Sequence, residues 1–417
     1  MVGQLQLRIR RVIDRLTEAG HCVPLLTLFI LIVVEIWLRQ ANPVDAMGYL
    51  SVDQWNLPPR INICRQANPD VALVGSSLLM ALALEPHEFI NFCRIFPPYF
   101  QAQLRRATDE DVTCLNMCTA GQVMSESYLV TRVVLSQKDC PPVIIFGISL
   151  RDFLDNKARH EWGTDSFASL SPYVPIAPDV LSALSGDMAR REFLLDHFSY
   201  LYRNHHDFKN VLTALTENML DTLPLDQPFP RTSYLRALGP SRDGWLPEEW
   251  VPRRHMRVNV RLATAYIRDL HIVAYRRGAG QSRAIQTHYL ESLVSACNHR
   301  GVKLVLLNMP LSDQIIALAP PRLHKDFGDF LEQEARTYHL PLLNFFQDQE
   351  FKSSDFADGA HLRYGAACKL ADRIIEELKK SYPDLLKAIA DHARMRNRDP
   401  AVKSRQERPF ALDAPVF

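Results

Sequence analysis

The chain has 417 residues, enough for one large α/β domain with an insertion or for two domains. Lys and Arg number 48 against 47 Asp and Glu, a formal net charge of +1, so no overall field selects a nucleic acid or an acidic substrate. Of eight cysteines, none forms a CxxC pair, and setting Cys22 aside with the apolar segment it begins leaves an odd seven (8 − 1 = 7), which excludes a full disulfide framework. Cys114 and Cys118 read as small buried hydrophobes rather than metal ligands.

Residues 1–20 carry Arg8, Arg10, Arg11 and Arg15 and form a cytoplasmic N-terminus in this reading. Residues 22–38 are nearly all apolar, and a transmembrane anchor is expected over 21–39, at the short end of a spanning helix. A cleaved signal peptide competes, but no A-x-A site follows the apolar core. Trp37 suits an interfacial position, and Glu35 stands close enough to the end of the run to reach the interface. The arginines before the span place the N-terminus in the cytoplasm and the main domain outside, with the lipid bilayer as a partner of the N-terminal helix. Residues 40–68, interrupted by Pro43, Pro58 and Pro59, read as a spacer.

From Asp70 the pattern alternates. Strands are expected at 71–74, 112–117, 143–146, 302–308 and 342–345, and helices at 99–108, 125–136, 289–299, 327–339 and 364–380. This alternation predicts an α/β fold, a doubly wound parallel sheet with helices on both faces. Its first part covers 69–155 and its second 285–382. Between them, 156–284 forms a mostly helical insertion, either a lid or docking surface or a plain extension; His205 and His206 within it read as surface residues. Residues 383–417 are expected to give one short helix and then a polar, solvated tail.

The first strand runs through Asp70-Val71-Ala72-Leu73-Val74 into Gly75-Ser76-Ser77-Leu78. A serine on such a turn stands at the strand's carboxyl end beside the N–H groups of the next helix. That arrangement suits a nucleophile, and equally an ordinary helix N-cap. Near the other end, Asp358-Gly359-Ala360-His361 precedes the last helix. Here the carboxylate can hold the imidazole's tautomer while the far ring nitrogen takes a proton from a serine. In a doubly wound sheet these two segments share one edge and can meet.

Together these pieces resemble the SGNH, or GDSL-type, hydrolase superfamily over 69–155 and 285–382. Gly75-Ser76-Ser77-Leu78 is similar to its first block, with Ser76 where the family has Asp, and Asp358-x-x-His361 to its last. The resemblance implies Ser77, Asp358 and His361 as catalytic residues and the N–H groups of Ser77 and Gly121 as an oxyanion hole. The family's third block is usually Gly-x-Asn-Asp, its Asn side chain completing the oxyanion hole; this chain has Gly147-Ile148-Ser149-Leu150-Arg151-Asp152 instead. Ser149, Arg151 and Asp152 are therefore candidates for substrate binding, and losing the Asn removes an oxyanion donor. The anchor, the Gly-Ser-Ser form and the absent Asn are closer to envelope proteins that aid polymer acylation. These are the alginate O-acetylation proteins, the extracytoplasmic partner in teichoic-acid D-alanylation, and an uncharacterised anchored family.

Two functions stay open. One is a serine esterase or O-acyltransferase acting on an envelope polysaccharide or other acylated envelope molecule. The other is a catalytically inert interaction protein that assists a membrane O-acyltransferase. No nucleic acid, cofactor or metal is implied: one glycine after the first strand falls short of a nucleotide loop, and no ligand spacing stands out.

Overall fold

A computed structural model describes residues 23–41, 61, 64, 67–83, 96–119, 121–154, 167, 170–203, 268–269, 271–275 and 281–398. The chain divides into two compact units. The smaller takes in Met1–Val52 and Leu194–Pro240. Its helix α1 spans Val23–Ala41, and every large apolar side chain from Leu28 to Trp37 is exposed. Glu35 accepts from Arg39 (2.8 Å), from the Ser199 hydroxyl (3.2 Å) and from the N–H groups of Tyr200 and Leu201. Pairing within this unit thus satisfies the carboxylate, where a place at the membrane interface was expected to do so. Among the described residues no helix is long and apolar enough to cross a membrane, so the expected transmembrane helix is not supported.

The larger unit holds the sheet. Its elements follow in chain order as β1 (Val71–Gly75), α2 (Ser77–Met80), α3 (Pro98–Thr108), β2 (Cys114–Asn116), α4 (Met124–Leu135), β3 (Val143–Ile148) and α5 (Leu150–Leu154). After the insertion come α6 (Gln281–His299), β4 (Lys303–Asn308), α7 (Asp313–Ile316), α8 (Pro321–Thr337), β5 (Leu342–Asn344), α9 (Tyr364–Ser381) and α10 (Pro383–Arg398). All pairings are parallel, in the order β2-β1-β3-β4-β5. The chain is therefore an α/β protein, and the order reverses between β1 and β3, where a doubly wound sheet opens a crevice at its carboxyl edge.

Alternate side chains sort the two faces. Val71, Leu73, Val143, Ile145, Val305 and Leu307 share a core with Leu104 of α3, Leu370 and Ile374 of α9 and Ile389 of α10. Ala72, Val74, Ile144, Phe146, Leu304 and Leu306 point the other way and are also buried. On that side α4 packs on β1 and α6 on β4. Strands buried on both faces read as unbroken apolar runs, as these do.

Gly75 and Gly147 lie opposite each other in the β1–β3 register. A Cβ on Gly75, whose φ is +147°, would stand 2.4 Å from the Gly147 carbonyl oxygen. Glycine is thus required where the two strands deliver the loops of the crevice.

Two segments differ from expectation in detail. Of the expected spacer 40–68, Ile61, Cys64 and Ala67 are buried at helical spacing, because their apolar side chains join the folded unit. Of residues 383–417, α10 takes the first 16 as one helix, longer than expected, and 399–417 lie outside the described residues. The helix docks because Leu385, Leu386, Ile389 and Ala393 form one apolar stripe, and Arg396 reaches the buried Asp70 at 2.6 Å. Within the insertion, helices stand at Pro178–Ala183, Asp187–Phe198 and Tyr200–Arg203. His205 and His206 lie outside the described residues.

Candidate active site

β1 ends at Gly75, and the turn through Ser76 starts α2 at Ser77. Ser76 has extended backbone and its side chain makes no cap bond, so the N-cap reading of this serine pair has no hydrogen bond behind it. Ser77 Oγ lies 2.8 Å from His361 Nε2, across 284 residues of sequence. His361 Nδ1 is 2.7 Å from Asp358 Oδ2. Asp358 Oδ1 accepts the N–H groups of Ala360 (3.1 Å) and His361 (2.9 Å). Ser77, Asp358 and His361 are all buried.

Burial drives the Asp358 carboxyl upward, but the hydrogen bond and charge of His361 and the two backbone N–H groups outweigh it. The net shift is downward, so the group stays ionised. An ionised Asp358 requires a proton on Nδ1, which leaves Nε2 free to accept from Ser77. The arrangement can remove the serine proton and return it to a leaving group.

The loop carrying Asp358 and His361 is closed by a Phe356–Leu362 bridge and by the Ala357 N–H donating to the His361 carbonyl at 2.7 Å. Gly359, at φ +92°, gives its carbonyl to the Ser312 N–H (3.1 Å). A Cβ there would press on Ser312 Oγ and Ile315 at 3.2 and 3.3 Å. The segment after β4 thus braces the loop after β5, a contact between distant segments with no sequence signal.

The loop after β2 stays zipped to β1 beyond the strand. Met117 N–H donates to Leu73 O (2.8 Å) and Thr119 N–H to Gly75 O (3.1 Å). Gly121 follows two residues after Thr119, at φ +60°. Gln122, absent from the sequence-derived candidates, is buried there too; its one signal was its place directly after Gly121.

Ser149, Arg151 and Asp152 form a local cluster after β3. Asp152 Oδ2 accepts both the N–H (2.8 Å) and the hydroxyl (3.0 Å) of Ser149, and Oδ1 faces Arg151 Nη2 at 3.2 Å. Burial pushes the Asp152 carboxyl up, against the pull of Arg151 and Ser149. Both Ser149 donors are therefore engaged with Asp152, so this residue offers no free donor in place of the missing Asn. The Tyr275 hydroxyl is buried without a hydrogen-bond partner, and Arg151 and Asp152 influence it electrostatically.

Cys114 is fully buried, and burial raises its thiol well above the ordinary range, as fits a core residue. Among the described residues no group of three His, Cys, Asp or Glu could hold a metal. Compared with known proteins, the chain matches no family model and no curated relative.

Proposed function

We propose that this chain is an SGNH-like serine esterase or O-acyltransferase, with Ser77 as nucleophile, His361 as general base and then acid, and Asp358 as the group that orients His361. The observation that carries the reading is the unbroken relay from Ser77 Oγ to His361 to Asp358 at 2.8 and 2.7 Å. Ser77 Oγ adds to an ester carbonyl carbon while its proton passes to His361 Nε2 and the carbonyl electron pair moves onto oxygen. Collapse expels the alcohol, which takes the proton from His361. Water or a sugar hydroxyl then repeats the sequence on the acyl-serine. In this reading the backbone N–H groups of Ser77 and Gly121 hold the oxyanion.

The substrate class is an acylated envelope polysaccharide or smaller envelope ester, met at a membrane surface on which α1 rests. The exposed apolar girdle from Leu28 to Trp37 supports this placement, since soluble surfaces rarely expose so continuous a patch. A second reading keeps the same fold as an inert partner of a membrane O-acyltransferase. It is favoured by the engagement of both Ser149 donors with Asp152, which leaves Ser149 with none for an oxyanion.

A serine-directed fluorophosphonate probe on the detergent-purified full chain separates the two. Labelling that disappears in Ser77→Ala and His361→Ala, with ester turnover lost alongside, supports the enzyme. Equal turnover of p-nitrophenyl acetate by wild type and Ser77→Ala removes it.

A further inference from the structure

Three polar side-chain atoms flank the nucleophile turn, buried and without a hydrogen-bond partner: Ser76 Oγ, Thr119 Oγ1 and Gln122 Nε2. Gln122 is 1% exposed. A buried amide N–H₂ with nothing to donate to is costly, and native structures keep few of them.

The orientation of this amide follows from its neighbour. Thr119 N–H donates to Gln122 Oε1 at 3.1 Å. A backbone N–H can only donate, so the oxygen of the amide faces Thr119 and the nitrogen faces away. The same Thr119 N–H is 3.1 Å from Gly75 O. Gly75 is the last residue of β1, two before Ser77. The amide therefore rides on the loop fastened to the carboxyl end of β1, next in sequence to Gly121. On the other side of β1, both Ser149 donors are held by Asp152. The site is short of one donor and carries one buried amide donor unused.

We propose that Gln122 Nε2 is an oxyanion donor of the Ser77 site, in the role for which Ser149 has no free donor. The assignment rests on the serine acyl-transfer reading above. As Ser77 adds to the carbonyl, charge develops on the oxygen, and a neutral amide already desolvated and fixed by its Oε1 bond to Thr119 costs little reorganisation to meet it. The competing role is structural: Gln122 would serve only to accept the Thr119 N–H.

Two substitutions separate these roles in the full chain with p-nitrophenyl acetate. Gln122→Glu keeps the length and an oxygen for the Thr119 N–H but has no N–H to donate when ionised. Gln122→Met keeps the volume and neither function. The donor role predicts that kcat falls about 10²- to 10³-fold in both, with KM nearly unchanged. A structural role predicts a lowered melting temperature in Gln122→Met and wild-type kcat in Gln122→Glu, and that result overturns the proposal. If both variants lose the folded near-ultraviolet signal, Gln122→Asn decides. Shortening by one methylene draws the donor back, and the expected loss in kcat is about tenfold or more; an unchanged kcat overturns the assignment. Equal turnover by wild type and Ser77→Ala would instead fell the serine reading itself. Ser77-dependent turnover that Gln122→Glu leaves intact fells only the role of Gln122.

Discussion

Replacing Asp358 by Asn tests the relay at its least exposed point. The carboxylate has two oxygens with different duties: Oδ1 takes two backbone N–H groups and Oδ2 takes the His361 ring. Asparagine has only one oxygen. Turning it toward the ring would set the side-chain NH₂ against two N–H groups, leaving both unsatisfied at about 1–3 kcal/mol each. Turning it toward the backbone keeps those two bonds and sets the NH₂ against Nδ1. The second arrangement wins, so Nδ1 must accept and the ring proton moves to Nε2. That proton then faces Ser77 Oγ across 2.8 Å, and the histidine can no longer take the serine proton. The expected loss is about 10⁴ in turnover, near 5 kcal/mol in barrier. The assays are the second-order rate of fluorophosphonate labelling and the kcat for p-nitrophenyl acetate, with a thermal melt to show that the fold persists. A folded Asp358→Asn protein within tenfold of wild type would refute the tautomer argument.

Three further outcomes follow from other contacts. Because the folded state holds the Asp358 carboxyl below its ordinary value of 3.8, its contribution to stability is complete above about pH 4. That contribution disappears as pH falls through the folded-state value. Urea titrations should therefore show the gap between wild type and Asp358→Asn closing on acidification, and a gap that widens would reverse the sign. Arg396→Met removes the cation 2.6 Å from Asp70, which is wholly buried and keeps only His392 Nδ1 (2.7 Å) and the Thr113 N–H (2.7 Å). Breaking such a pair costs about 3–5 kcal/mol, read by denaturant unfolding, and a loss below about 1 kcal/mol would show that α10 docks by its apolar stripe alone. Gly75→Ala sets a Cβ 2.4 Å from the Gly147 carbonyl at φ +147° and should cost about 2 kcal/mol or more. An unchanged melting temperature would mean that β1 and β3 part there without strain.

How much was legible depended on how local the cause was. Every expected strand from 71 to 345 exists, with β2 and β5 shorter than their apolar runs; β5 stops where its neighbour β4 ends at Asn308. The expected helix at 364–380 matches α9 closely, since Ala367, Leu370, Ala371 and Ile374 repeat with the helical period. The length of the helix α10 depended on an equally physical cause. Its arginines look like a solvated face, yet Arg396 is buried because Asp70, far away in sequence, waits at the start of β1. Ser149 looked like a spare donor at a strand end, and only the observed turn shows Asp152 consuming both of its hydrogen bonds.

By itself the sequence determined what periodicity and turn chemistry control: an alternating α/β chain, the apolar stretch before it, a Gly-Ser-Ser turn and an Asp-x-x-His loop. Those signals act within a few residues, so they survive reading without a fold. The tertiary structure alone decided the strand order β2-β1-β3-β4-β5, the 2.8 Å approach of Ser77 to His361, the brace of Ser312 on Gly359 and the unpartnered amide of Gln122. Each of these is a contact or an orphaned bond between segments far apart in the chain. Packing sets such distances and decides which polar groups are left over, and no local pattern encodes either.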